Sequence, residues 1–133
     1  MVSAYTAFAN RGIRVAPLFV TRIEDSEGNV ISTFAPQMDE VISTSSVYKM
    51  LVMLRAVINE GTGGRVRRYG ITADMGGKTG TTNENSDSWF MGFTPSLVSG
   101  CWVGGDDPLR IDDIRTGSCR CFTYLGKIYE EGI

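Results

Sequence analysis

The stretch Gly76-Gly77-Lys78-Thr79-Gly80-Thr81-Thr82 gathers a cation, hydroxyls and bare backbone within one short segment. Glycine lets a backbone approach another group closely, and the β-branched Thr79, Thr81 and Thr82 favour a strand, at whose edge Lys78 would fix a positive charge. An ammonium, a hydroxyl and a backbone N–H can together bind an anion and polarise an acyl group. None of them supplies the attack on that acyl group, so the nucleophile has to lie elsewhere.

Other residue groupings have chemical readings that weaken on inspection. Ser46-Val47-Tyr48-Lys49 matches Ser-x-x-Lys, the nucleophile motif in which a lysine one helical turn on can take the serine's proton. Yet Ser46 stands where a helix cap is needed, and positions 46 and 78 are only 32 residues apart, which leaves little chain for the rest of a site. Capping is the favoured role. Gly77-Lys78-Thr79 looks like the end of a phosphate-binding loop, but that motif wants glycine where Thr72 stands, and a helix where Thr81-Thr82-Asn83-Glu84-Asn85 follows. The pairs Asp106-Asp107 and Asp112-Asp113 lie among turn formers with no histidine or further acidic cluster nearby, and read as solvated turns. Cys101, Cys119 and Cys121 lack metal-site spacing; with no histidine in the chain, zinc, haem and Ser-His-Asp chemistry lose their usual ligand or base. Cys101, inside an apolar strand pattern, reads as a buried small hydrophobe. No metal and no cofactor is expected.

The 133 residues, 42% hydrophobic and 10% aromatic with a net charge of -2, fit one globular domain or part of a larger one. Balanced charge removes the electrostatic case for nucleic acid, and Arg65-Val66-Arg67-Arg68 is too short a basic cluster to restore it; it reads as solvated loop. No apolar run approaches the roughly 18 residues of a membrane span, so this segment is expected to make no membrane contact itself.

The elements that must position Lys78 follow from periodicity. Val2, Tyr5, Phe8 and Ala9 predict a helix over 2–10 closed by Gly12, and its abrupt, uncapped start suggests a chain cut from something longer. From Ile13 to Phe34 a hairpin is expected, with Val15, Leu18-Phe19-Val20 and Ile23 on one arm, Val30-Ile31 on the other and Asp25–Asn29 as the turn. Val47, Met50, Leu51, Leu54, Val57 and Ile58 predict a helix over 46–60, ended by Gly61. A loop from Thr62 to about Asp74 leads into strands near 76–82, 87–94 and 97–104, the last two an antiparallel pair apolar on both faces. Such a sheet needs cover on both sides, which makes the fold class α+β, an antiparallel sheet in an α/β/α layering, with a helix near 122–131 as part of the cover.

From Gly77-Lys78-Thr79-Gly80-Thr81-Thr82-Asn83 through Asp87-Ser88-Trp89-Phe90 to Gly92-Phe93-Thr94-Pro95, the sequence resembles the bifunctional penicillin-binding proteins, the transglycosylase/transpeptidases of cell-wall synthesis. The resemblance runs back through Glu60-Gly61-Thr62-Gly63 to Met1 and forward through Trp102-Val103-Gly104, over roughly residues 1–117. After Gly117, Ser118-Cys119-Arg120-Cys121 departs from the family's pattern. Of that family's three motifs only Lys-Thr-Gly is present: no serine is followed two positions later by asparagine, and the nucleophile motif belongs well before residue 2.

The resemblance implies a serine β-lactamase/transpeptidase-like fold, of which residues 1–133 would be the C-terminal portion without the nucleophile. It implies that Lys78 holds the site's positive potential and the substrate or penicillin carboxylate, that Thr79 hydrogen-bonds that carboxylate, that Gly80 leaves room beside the nucleophile, and that the Thr81 N–H forms half of the oxyanion hole, with Thr82 beside it in the substrate site. The implied partners are peptidoglycan stem peptides, β-lactams and the missing N-terminal part. The implied location is extracytoplasmic, at the periplasmic face of the inner membrane, with an anchor outside this chain. A serine β-lactamase or carboxypeptidase fragment and a penicillin-recognising sensor module are the alternatives, which Asp87-Ser88-Trp89-Phe90 disfavours.

Overall fold

A computed structural model describes residues 1–82 and 87–104, together with 121, 122 and 125. Helix α1, Val2–Ala9, is tied through its polar side to the chain just beyond it: Ser3 Oγ donates to the Val15 carbonyl at 2.7 Å and the Val15 N–H donates to Thr6 Oγ1 at 2.8 Å. Gly12 has φ +103, and a Cβ there would collide with the Ile42 carbonyl, so only glycine makes this turn.

The expected hairpin over 13–34 divides into two ladders. Strand β1, Ile13–Val15, pairs antiparallel with β4, Met38–Glu40, whereas β2, Arg22–Glu24, pairs with β3, Val30–Thr33. The reason is local: Ser3 and Thr6 hold Val15 against α1, so Val15 cannot join the arm that carries Ile23. Leu18, Phe19 and Val20 pair with nothing in either ladder, and Phe19 is 93% exposed. The Asp25–Asn29 turn stands as expected. Asp25 Oδ1 accepts from the Glu27 and Asn29 N–H groups at 2.9 Å each, and hydrogen bonds from Asn29 hold its carboxyl below the ordinary aspartate value.

Helix α2, Thr44–Asn59, starts two residues before the expected 46, and its cap is Ser43, not Ser46. Ser43 alone has the extended backbone, φ -64 and ψ 145, that a cap needs; Ser46 already lies in the first turn and gives its N–H to Ser43 Oγ. Its apolar stripe buries Val47, Leu54 and Ile58. The expected loop after it holds a 3₁₀ helix, Thr62–Tyr69, and the basic cluster is not merely solvated. Val66 is fully buried, and the Arg67 guanidinium donates to the Ile71 and Ala73 carbonyls at 3.0 and 2.7 Å, which latches the approach to the next strand.

Strands β5, Gly76–Thr81, β6, Asp87–Phe93, and β7, Val98–Gly104, form an antiparallel sheet in the order β5-β6-β7. One face packs Phe90 with Ile58, Val66, Ile71, Met75, Cys121, Phe122 and Leu125, the Phe90 and Phe122 rings meeting edge to face at 4.8 Å. Cys121 and Phe122 are helical, and Phe122 and Leu125 are buried in the core; the rest of the stretch expected as a helix over 122–131 lies outside the described residues, as do Asp106, Asp107, Asp112, Asp113 and Cys119. Burial pushes the Cys121 thiol up to about 12, and Cys101, expected to be buried, is half-buried and packs against the same core. On the other face α1 covers Phe93 and Met91, with the Tyr5 and Phe93 rings 6.5 Å apart. Cover ends towards Trp102, which is 47% exposed.

Candidate active site

Gly77 lets β5 lie flat on its neighbour, since a Cβ there would stand 2.7 Å from the Met91 carbonyl oxygen and 2.9 Å from Phe90 Cζ. Beyond it the strand leaves the core. Lys78, Thr81 and Thr82 are exposed, while Thr79 and Gly80 are half-buried. β5 has a partner on one side only among the described residues, so its other edge carries unpaired backbone groups.

The ladder decides which groups those are. The Thr82 N–H donates to the Asp87 carbonyl at 3.2 Å and therefore points into the sheet. Inward and outward groups alternate along an antiparallel edge strand, so the N–H and C=O of Thr81 and of Thr79 face outward. Lys78 shares a face with its register partner Met91, on the α1 side, and curls over the edge so that Nζ donates to the Thr79 carbonyl at 2.6 Å. The Thr79 side chain leaves on the opposite face, where Oγ1 lies 2.9 Å from Thr62 Oγ1 at the start of the 3₁₀ helix. Ammonium, hydroxyl and outward amide thus stand along one open edge, an arrangement suited to an acyl compound that carries a carboxylate.

The end of this edge is fastened across the sheet. Asp87 returns its N–H to Thr82 Oγ1 at 3.1 Å, and its Oδ1 accepts from Trp102 Nε1 at 2.9 Å, with the Trp89 and Trp102 rings 6.2 Å apart beside it. The residues singled out in the sequence, Lys78, Thr79, Gly80, Thr81 and Thr82, therefore lie together. Ser46 and Lys49 are both exposed on α2, and neither shares a hydrogen bond or ion pair with them. Thr62, Asp87 and Trp102 were given no site role from the sequence, because their contacts span 17, 5 and 15 residues and no periodicity signals them. Among the described residues no group of three or more His, Cys, Asp or Glu side chains could hold a metal. An open groove of about 790 Å³ between α1, α2 and the start of β5 shares Gly76 with the strand but none of Lys78–Thr82.

A family model for the penicillin-binding protein transpeptidase domain matches residues 1–100. Penicillin-binding protein 1A of Aquifex aeolicus (strain VF5) is 40% identical over 118 residues, which are 89% of this chain and 16% of that protein. Penicillin-binding protein 1A of Neisseria lactamica is 35% identical over 113 residues, 81% of this chain and 14% of that protein. Among solved structures, penicillin-binding protein 1A from Haemophilus influenzae superposes with a TM-score of 0.83 at 24% identity, covering 96% of this chain and 25% of the other. Penicillin-binding protein A from M. tuberculosis, in its imipenem acyl-enzyme complex, does so with a TM-score of 0.74 at 19% identity, over 97% and 29% of the two chains. The antiparallel sheet and its helical cover are shared with both.

Proposed function

The chain belongs to the penicillin-binding protein transpeptidase domain family, and from that premise we propose that it forms the Lys-Thr-Gly wall of a serine-type D-alanyl-D-alanine transpeptidase that cross-links peptidoglycan stem peptides and is acylated by β-lactams. Residues 1–133 are on this reading a C-terminal portion of the catalytic domain, consistent with a chain that spans 16% of its Aquifex relative. The attacking serine belongs to the part of the protein outside this chain. That protein acts outside the cytoplasm.

The open edge of β5, with cation, hydroxyl and outward amide in sequence, is the observation that carries the reading. A stem peptide ends in a carboxylate, and penicillins carry one at the matching place. Lys78 and Thr79 bind that group, which aligns the scissile carbonyl along the strand edge. When the serine oxygen adds to the carbonyl carbon, negative charge moves to the carbonyl oxygen, and the Thr81 N–H stabilises it there. Collapse of the adduct breaks the C–N bond while the proton given up by the serine hydroxyl passes to the nitrogen, which departs as D-alanine or, in a lactam, stays attached to the opened ring. Gly80 keeps that edge free of a side chain, and Thr82 extends the wall.

The test is Lys78→Ala in the full-length protein that contains this chain. We expect its acylation by a fluorescent penicillin to slow about 100-fold, the scale of a lost charge-assisted contact to a binding anion. An exposed lysine contributes little to packing, so the melting temperature should move by no more than about 2 °C. Losses of equal weight in rate and stability would sink the assignment.

A further inference from the structure

We infer that Thr62, outside the Lys-Thr-Gly stretch, is a positioning residue that turns the Thr79 hydroxyl proton toward an anionic ligand. The inference rests on the acyl-transfer function proposed for β5. Its observation is the 2.9 Å contact between Thr62 Oγ1 and Thr79 Oγ1, made across 17 residues of chain by two hydroxyls, one exposed and one half-buried. Each is the other's side-chain partner among the described residues.

A hydroxyl brings one proton and two acceptor positions. The pair uses one proton between its members and leaves the other free, and either direction satisfies the contact. A carboxylate can only accept. When it docks on Thr79 it accepts a hydrogen bond from the Thr79 hydroxyl, and the pair then has one direction: Thr62 O–H donates to Thr79 Oγ1, and Thr79 O–H donates to the carboxylate. Donation from Thr62 polarises the second bond, and it also confines the Thr79 rotor that would otherwise be ordered at each binding event.

Thr62 is placed to do this because its turn is also held by contacts outside β5. Gly63 is buried against α2 so closely that a Cβ would come 2.7 Å from Ile58 Cδ1, and Arg67, one helical turn further, is fixed by the Ile71 and Ala73 carbonyls. The hydroxyl is thus carried on a fixed support and not on the strand it steers.

The experiment compares a penicillin with its methyl ester on the full-length protein, unsubstituted and as Thr62→Val, Thr62→Ala and Thr62→Ser. Thr62→Val and Thr62→Ala should each slow acylation by the free acid about fivefold to tenfold, the worth of one hydrogen bond, through weaker binding before the bond forms. Thr62→Ser, which keeps the hydroxyl, should restore the rate. The ester, which has no anion to direct, should react equally with all four proteins. No loss with the acid, or equal losses with acid and ester, would overturn the inference and leave the transpeptidase reading standing. An unsubstituted protein that reacts with neither ligand would overturn both.

Discussion

On the function proposed for β5, Thr81 contributes its backbone and not its side chain, and the two can be separated by mutation. Its N–H points out of the sheet because the Thr82 N–H points in. Thr81→Pro removes an amide that no ladder bond uses, and proline's fixed φ is tolerated on an edge strand. The folded protein should therefore survive while acylation falls about 100- to 1,000-fold, the worth of one oxyanion donor. Thr81→Ala keeps the amide and should cost at most about tenfold, one side-chain hydrogen bond. A proline variant with the alanine variant's rate would show that the amide has no part in acylation. At this scale the sequence was informative for Lys78 and Thr79, whose chemistry is written in their side chains. It was silent on Thr62, which acts through a contact that exists only once α2 and β5 have packed.

Elements were legible in proportion to their periodicity. The stripe Val47, Leu54, Ile58 made α2 readable, and the short apolar run around Phe90, bounded by Thr94-Pro95-Ser96, made β6 readable. The β1–β4 ladder was not, because three-residue strands carry no period, and its register is set by the hydroxyls of Ser3 and Thr6. The cap at Ser43 was misplaced for a related reason: four consecutive hydroxyl residues offer equivalent caps, and backbone dihedrals alone distinguish them. The β2–β3 turn shows what one side chain does for an element. Asp25 accepts three hydrogen bonds from Glu27 and Asn29, and its lowered pKa means that the ionised form is the one the turn prefers. A depressed carboxyl contributes stability above its unfolded pKa and loses it as pH falls through the folded one. Protection of the Ile23 and Ser32 amides, which the Phe34–Thr21 hydrogen bond places inside the ladder, should accordingly fall below about pH 4, the ordinary range of a free aspartate, and Asp25→Ala should lower it above that pH. A variant whose exchange still depended on acid would assign the effect to another group.

Among the described residues the chain builds one closed core and leaves other apolar surface in water. Phe90, Phe122 and Ile58 are almost wholly buried, but Phe19, Ile31, Met38 and Trp102 are 93%, 66%, 60% and 47% exposed. On the sheet face towards α1, Met91 and Phe93 are reduced to 2% and 4% exposure, and the cover ends towards Trp102. A few hundred Å² of uncovered apolar surface forfeits several kcal/mol at about 25 cal/mol per Å², comparable with the net stability of a small domain. The 133 residues alone should therefore bind a hydrophobic dye and associate with rising concentration, and should melt without a sharp transition. A cooperative melt in a monomeric sample would show the chain to be self-sufficient. By the same reading the isolated chain should form no adduct with a penicillin, and intact-mass detection of an acyl group on Ser46 would overturn that.

The Trp89–Trp102 pair beside Asp87 has an optical meaning as well. These are the two tryptophans of the chain, 6.2 Å apart, with one indole N–H held on a carboxylate at 2.9 Å. Tryptophan emission from this segment thus originates at a single spot on β6 and β7, where Trp89 stands in register with Gly80 of the Lys78 strand. Its wavelength and lifetime depend on how firmly Asp87 grips that spot, so ordering or loosening of the strand end can be followed by light without attaching a dye.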